Sequence, residues 1–455
     1  MKTKLIVTYG PSISNEIVLR HVLKHADIIR INFSHGDKKS WIEAVKRIRQ
    51  AAAELKKEVA LFADLPGPKV RVEKVDTPIS VKRGEIIKFS SNGASGTIKV
   101  SYALFHKDAR KGAIIEIGDG VARFQVKEIK GTTVISRALE DGIISKRKGL
   151  TLLGLTMNLK APTPIDMELA RFASKLGFDF VGISFVRSAN DIKELRKASG
   201  SMCIIAKIEQ RDAVRKIDEI VRAADAVMVA RGDLAEQVSL EHIPDVQRVI
   251  IAAAREVGKP VIVATQLLTS MINNPTPTRA EVNDIASAVR EGVDCLMLSD
   301  ETIIGKYPEA AVNFLARAAR VAENSMIANP VQRRQTIKKL NVGIALAASD
   351  LADSYRTDCI FIPTRGGTTA KIISGLRPKT DTVALVIDQK VRKLLSVYYG
   401  IRCMPMKKYN SMDEMLELVA KIAKQNRINK YIIVSGSPNK PGSTDTLKYV
   451  GDLGG

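Results

Sequence analysis

Short apolar runs recur through the first two-thirds of the chain, and amphipathic stretches separate most of them. The runs are Lys4–Thr8, Asp27–Ile31, Val59–Ala63, Phe180–Ile183, Cys203–Ala206, Ala226–Val229, Val261–Ala264 and Cys295–Leu298. Each is nearly continuous in hydrophobicity, as a parallel strand buried on both faces should be. Helical periodicity fills intervals such as Trp41–Leu55 and Ala213–Ala223. This alternation predicts an α/β fold, a (β/α)8 barrel; a doubly wound open sheet is the structural competitor.

One interval breaks the rhythm. The helical pattern after the third run is delayed until Asp166–Leu176, and short alternating segments fill the gap: Glu85–Phe89, Ile114–Ile117, Ala122–Val126 and Thr133–Ser136, punctuated by Gly93, Gly96, Gly118, Gly120 and Gly131. The pattern predicts a small all-β domain over residues 67–149, inserted into a barrel built from 1–66 and 150–330. It would project from a βα loop, on the face where barrel enzymes carry their active sites, and could close over a substrate as a lid. A polar linker, Arg333–Lys339, opens a third unit at 331–455. There helical patterns (Val342–Ser354, Ser411–Gln425) alternate with strands (Cys359–Ile362, Thr382–Ile387, Tyr431–Val434), which predicts a C-terminal α/β domain.

Composition adds little that changes this. The 455 residues are 45% hydrophobic, enough for large cores. The formal charge of +22 suggests nucleic acid. The basic residues are scattered along amphipathic helices, as in Glu43–Arg49, with no interleaved aromatics, so steering of an anionic substrate is the better reading. Lys2 and Lys4 precede an apolar run too short for a signal peptide, and no run reaches membrane-span length. Cys203, Cys295, Cys359 and Cys403 form no CxxC pair; Cys203 and Cys295 read as reduced, buried residues. A cytoplasmic protein, with neither nucleic acid nor membrane as partner, is expected.

The residues that follow the strands are polar. They are Arg30, Asn32, Ser34 and His35; Asp64, Lys69 and Arg71; Ser184 and Arg187; Lys207 and Glu209; Ala230, Arg231, Gly232 and Asp233; Thr265; and Ser299–Thr302. Glu209 and Asp233, on neighbouring strands, could hold one hard cation and leave positions open for substrate oxygens. Lys207 shares the parity of Glu209 and could neutralise a transferring phosphoryl group or an enolate. Gly232 lets the backbone approach a substrate carboxylate. Each alone has a plainer explanation: salt bridges of Glu209 and Asp233 with Arg231 or Arg211, a solvated Lys207, a structural His35. Their clustering at strand C-termini favours a site.

The motifs resemble the pyruvate kinase family throughout the chain. They are Arg30–Gly36, Ile205–Glu209, Met228–Leu234, Ala264–Gln266 and the segment Pro275–Glu281 through Asp284, Ala286, Ala288, Val289, Gly292 and Asp294 to Met297–Ser299. The resemblance is to forms that start at the first barrel strand, without the N-terminal helical segment of animal enzymes. It implies transfer of a phosphoryl group from phosphoenolpyruvate to ADP, giving pyruvate and ATP, with Mg²⁺ or Mn²⁺. Lys207 would be catalytic, Glu209 and Asp233 the metal ligands, and Arg30 and Arg71 the phosphoryl arginines. The backbone of Ala230, Arg231 and Gly232 would cradle the carboxylate, with Ser184 nearby and Thr265 beside it or in the proton relay. Asn32, Ser34 and Asp64 match a monovalent-cation site. His35, Arg71 and Lys148 would meet nucleotide, with Lys146 or Arg147 as alternatives to Lys148. A homotetramer is implied.

The sequence departs from the family in places. Lys69 stands where potassium-dependent relatives have glutamate, and Leu65 and Val72 lie where threonines are usual. A fixed ammonium there predicts an enzyme that does not require K⁺. Asp300 and Thr269 replace a usual glycine and glutamate. Thr364, Arg365, Gly366, Gly367, Thr368 and Thr369 form a strand–helix turn that could cradle a phosphorylated effector or simply cap the helix. The rival functions are an aldolase- or mutase-like barrel enzyme of related substrates and a catalytically dead scaffold.

Overall fold

The computed structural model describes residues 1–325, 339–436 and 444–451, apart from 76, 119, 120, 147 and 156. Eight parallel strands close a barrel: β1 (Lys4–Thr8), β2 (Ile28–Asn32), β3 (Ala60–Asp64), β4 (Phe180–Ile183), β5 (Cys203–Ile208), β6 (Ala226–Ala230), β7 (Val261–Ala264) and β8 (Cys295–Leu298). Each pairs with its sequence neighbours, and β8 closes on β1 with Lys4 opposite Cys295. The open-sheet alternative is excluded.

Both faces of every strand are buried, which explains the absence of polar alternation. One parity (Leu5, Val7, Ile204, Ala206) packs outward on the helices; the other (Ile6, Phe62, Ile205, Met228, Met297) fills the barrel. The helix expected over Ala213–Ala223 is two, Arg211–Arg215 and Ile217–Ala223. Lys216 leaves the helical region (φ −110°, ψ 24°), and Ile217, Ile220 and Val221 beyond it are buried.

The inserted unit is mainly β, with a single turn of helix at Phe105–Asp108. Its seven-stranded sheet runs from Leu150–Leu153 through Ile114–Ile117, Ala122–Lys130, Thr133–Ala138, Ile86–Ser90 and Ile98–Val100 to Val72–Lys74. The sheet thus continues past Gly149, and Met157 still packs in its core. Phe89, Phe105 and Phe124 anchor that core through edge-on contacts.

The C-terminal unit carries a five-stranded sheet in the order Ile401–Pro405, Asp381–Val386, Cys359–Thr364, Tyr431–Ser435, Thr446–Val450, with only the last strand antiparallel. The linker segment 333–338 lies outside the described residues. This domain closes the bottom of the barrel: Val397 and Tyr398 share one core with the barrel interior, and Cys295 Sγ donates to Val397 O at 3.2 Å. All four cysteines are free; Cys295 is buried, whereas Cys203 is only partly so, because it sits at the strand's entrance beside the domain boundary.

Candidate active site

Strand parity decides which side chains enter the barrel mouth. In β5, Ile205 faces the interior, so Lys207 and then Glu209 follow on the same side. By the same count Thr8 follows Ile6, Arg30 follows Ile28, Asp64 follows Phe62, and Ser184 lies four residues beyond Phe180. These side chains converge. Lys207 Nζ donates to Ser184 Oγ at 2.8 Å and lies 3.2 Å from Asp64 Oδ1 and 2.8 Å from Glu209 Oε1. Arg30 donates to Asp64 Oδ2 through Nε at 2.7 Å and to Thr8 Oγ1 through Nη1 at 2.9 Å.

Electrostatics hold the cluster charged. Burial alone would push the Lys207 ammonium down, but Asp64, Glu209 and Asp233 outweigh it and raise its pKa above the ordinary lysine value. Burial likewise opposes ionisation of Asp64, yet Lys207 and Arg30 keep its pKa below the usual value. Glu209 is different. Burial pushes its carboxyl up against the pull of Lys207, and the neighbouring Asp233 charge adds to the rise. Its Oε2 accepts from Phe185 N at 2.6 Å, and Phe185 is held at φ 57°, a backbone region costly for a residue with a Cβ.

A divalent cation fits these residues. Among the described residues no group of three or more His, Cys, Asp or Glu is arranged for a metal, so protein alone would not complete the shell. Two carboxylates with substrate and water oxygens would, in the manner of Mg²⁺. Glu209 Oε1 is buried with the Lys207 ammonium 2.8 Å away as its close partner, so a divalent cation would share this oxygen with Lys207. Asp233, in the short helix Arg231–Ala235, is partly exposed.

The loops rearrange several expectations. The guanidinium of Arg231 donates through Nη1 to both Asp284 oxygens (2.9 and 2.7 Å) and through Nη2 to Thr265 O and Gln266 O (2.7 and 3.1 Å). It thereby clamps a turn in which Thr265 and Gln266 have φ 68° and 55°. The Gly232 N–H donates to Thr265 Oγ1 at 2.9 Å, so it is already engaged. Lys69 Nζ lies 3.7 Å from Asp233 Oδ1, whereas Asp64 is held by Arg30 and Lys207 and Asn32 Oδ1 accepts from Ser34 N at 3.0 Å.

Above the cluster opens a cleft of about 920 Å³ between barrel and inserted sheet. His35, Lys69, Arg71, Lys148 and Asp233 line it, as does Lys146; Arg147 lies outside the described residues. Arg71 bridges to Gly149 at the root of the insert. The 364–369 turn is remote. Gly367 (φ 81°) donates its N–H to Thr364 Oγ1 at 3.0 Å, and buried Thr369 bonds Thr444. Sequence reasoning missed Thr8 and Asp284. Thr8 ends β1 and was open to the same parity count; the Asp284 contact spans 53 residues and leaves no local signal.

A (β/α)8 barrel whose mouth gathers Lys207, Arg30, Asp64 and Glu209 beneath a cleft lined by Lys69, Arg71 and Lys148 has the build of an enzyme for small anionic substrates. Residues 1–312 match the family model "Pyruvate kinase, barrel domain" and residues 343–450 match "Pyruvate kinase, alpha/beta domain". The pyruvate kinase of Clostridium perfringens is 35% identical, covering 98% of this chain and 99% of that protein. That of Thermococcus litoralis is 32% identical, covering 98% of each. A crystal structure of a pyruvate kinase from Cryptosporidium parvum superposes with a TM-score of 0.90 at 31% identity, over 99% of this chain and 96% of that one. The chain belongs to the pyruvate kinase family. It is a kinase that transfers a phosphoryl group from phosphoenolpyruvate to ADP, yielding pyruvate and ATP, and it requires a divalent metal.

Proposed function

We propose that this reaction runs at the Lys207 cluster, with Mg²⁺ (or Mn²⁺) held by Glu209 and Asp233 and with no requirement for K⁺. The convergence of Asp64, Glu209 and Ser184 on a buried, charged Lys207 carries the reading. Phosphoenolpyruvate lies with its carboxylate toward the Ala230–Gly232 turn and its phosphoryl group toward Arg30 and Arg71. ADP enters the cleft past His35 and Lys148. A β-phosphate oxygen of ADP attacks phosphorus in line; the bond from phosphorus to the enol oxygen breaks, leaving the enolate of pyruvate. Lys207 and Arg71 stabilise the charge spread over the phosphoryl and enolate oxygens. A bound divalent cation supplies further charge neutralisation at those oxygens. A proton then adds to the enolate carbon. Thr265, whose Oγ1 accepts the Gly232 N–H and keeps its own proton to donate, sits where a relay to that carbon would pass.

Lys69 replaces the monovalent cation. Its contact with Asp233 supports a fixed positive charge at the edge of the metal position. Asn32, Ser34 and Asp64 are then spectators of a lost K⁺ site. The enzyme works in the cytoplasm as a homotetramer, and the Thr364–Thr369 turn receives a phosphorylated effector. A coupled assay of ADP-dependent pyruvate formation tests the core of this reading. Activity should require Mg²⁺ or Mn²⁺ and persist in K⁺-free buffer; activity that collapses without K⁺ refutes the role given to Lys69.

A further inference from the structure

The barrel has a second cavity, at its opposite end, with a largely apolar lining and a few charged groups. About 340 Å³ of space lies between the entrances of β4, β5 and β6 and the C-terminal domain. Its barrel wall includes Cys203, Asp225 and Lys259; its other wall includes Lys371, Ile372 and Tyr398. Lys371 rises from the helix Thr368–Leu376 with Nζ 5.5 Å from the Tyr398 ring centroid.

The charges there do not balance. Asp225 is the one carboxylate in the lining, and its Oδ2 is already engaged by Arg196 Nη1 at 3.0 Å and by Ile204 N at 2.8 Å. Lys259 donates to Ala224 O at 2.5 Å, a neutral acceptor. Burial works most strongly against the Lys259 ammonium; Asp225 opposes it, and Lys371 and Arg196 add to the burial, so the pKa stays below the ordinary lysine value. Two ammonium groups share a half-buried space with a carboxylate that a third cation already holds. An anion entering there would relieve this repulsion, and lysine is a common phosphate ligand. Tyr398, Ile372, Leu394 and Val397 supply an apolar wall for a carbon body. The volume is at the small end of ligand sites and leaves no room for a dinucleotide.

We propose that this cavity is a binding site for a small organic phosphate monoester, with Lys259 and Lys371 as its phosphate ligands. It lies at the entrances of the strands whose far ends carry Lys207, Glu209 and Asp233. It is separate from the Thr364–Thr369 turn, with which it shares only Thr368 in its lining.

Calorimetric titration of glycerol 3-phosphate into the full chain tests this, with pyruvate and Mg²⁺ occupying the barrel mouth and no nucleotide or other phosphate present, so that nothing turns over and nothing else competes for the cavity. Inorganic phosphate and glycerol form separate arms. Saturable binding at one site per chain is expected for the monoester, weaker binding for inorganic phosphate and none for glycerol. Lys371→Met should weaken the monoester at least tenfold with circular dichroism unchanged, and Lys371→Arg should largely restore it. Lys259→Met provides the second variant should Lys371→Met fail to fold. Arg365→Ala should bind like the unmodified chain. Absence of binding overturns the proposal, as does affinity indifferent to both lysines. Loss in Arg365→Ala with retention in Lys371→Met would move the phosphate to the 364–369 turn and likewise overturn it.

Discussion

The ammonium of Lys69 lies 3.7 Å from the carboxylate of Asp233, so the residue proposed as the outer metal ligand has a built-in cation beside it. Lys69 is partly exposed, which limits the strength of the pair. With substrate absent, the lysine and a divalent ion compete for the same oxygens. Lys69→Met should therefore tighten Mn²⁺ binding to the substrate-free protein, by up to about fivefold (~1 kcal/mol). The same variant should gain a rate response to added K⁺. Equilibrium Mn²⁺ binding followed by paramagnetic resonance, with assays in K⁺ and in a large inert cation, measures both.

Lys207 neutralises two buried carboxylates at once. Lys207→Met should lower kcat on the order of 10²–10³ or more, as removal of a charge-stabilising group does. It also strands Glu209, while Asp64 keeps Arg30, and loss of one partner from a buried ion pair costs about 3–5 kcal/mol. Denaturant unfolding monitored beside the assay separates the two effects. A rate within a few-fold of normal in a folded variant removes Lys207 from the chemistry.

Asp284 does not touch the cleft-facing groups yet should matter to them. It holds Arg231, which in turn holds the carbonyls of Thr265 and Gln266 in a left-handed turn. Asp284→Asn should loosen that turn and lower kcat/KM for phosphoenolpyruvate by about tenfold, equivalent to roughly one charged hydrogen bond. The KM for ADP should change less, because the proposed pose puts the carboxylate of phosphoenolpyruvate, not the nucleotide, at this turn. Steady-state kinetics with each substrate varied in turn reads this out.

The thiols are suppressed by burial, which pushes Cys203 and Cys359 up to about 12 and Cys403 up to about 11. Thiolate is the reactive form, so Ellman's reagent at pH 8 should react slowly with the native chain and titrate all four cysteines only after denaturation. The linkage has a definite sign. Unfolded thiols ionise near 9, folded ones two or three units higher, so the folded state binds more protons in between. Stability should fall as pH rises from about 9 toward 11, seen as a declining denaturant midpoint.

Much of the site was legible because strand parity is a local rule. Once Lys207 and Glu209 stand two apart after an apolar run, both must enter the mouth, and the same count reaches Arg30 and Asp64. Loop residues obey no such rule. Arg231 was expected to offer its backbone to a substrate carboxylate, and no local rule foretold that its side chain would pair with Asp284 on a different barrel helix. Lys69 was expected at the monovalent-cation position; it lines the same cleft as Asn32 and Ser34, and its ion pair with Asp233 had no local signal.

The sequence by itself determined the barrel, the inserted sheet, the C-terminal domain and the charged residues at the strand ends. Periodicity and residue type act over a few residues and need no partner to be read. Only the tertiary structure decided which charge meets which. It showed that Asp64 answers to both Arg30 and Lys207, and that Glu209 shares that lysine. It also showed that the C-terminal domain stoppers the barrel and brings its own Lys371 to the same cavity as Lys259 of the barrel. Those pairings join residues tens to hundreds of positions apart, and they are fixed by burial, where an unpaired charge is costly and one chain conformation must satisfy them together.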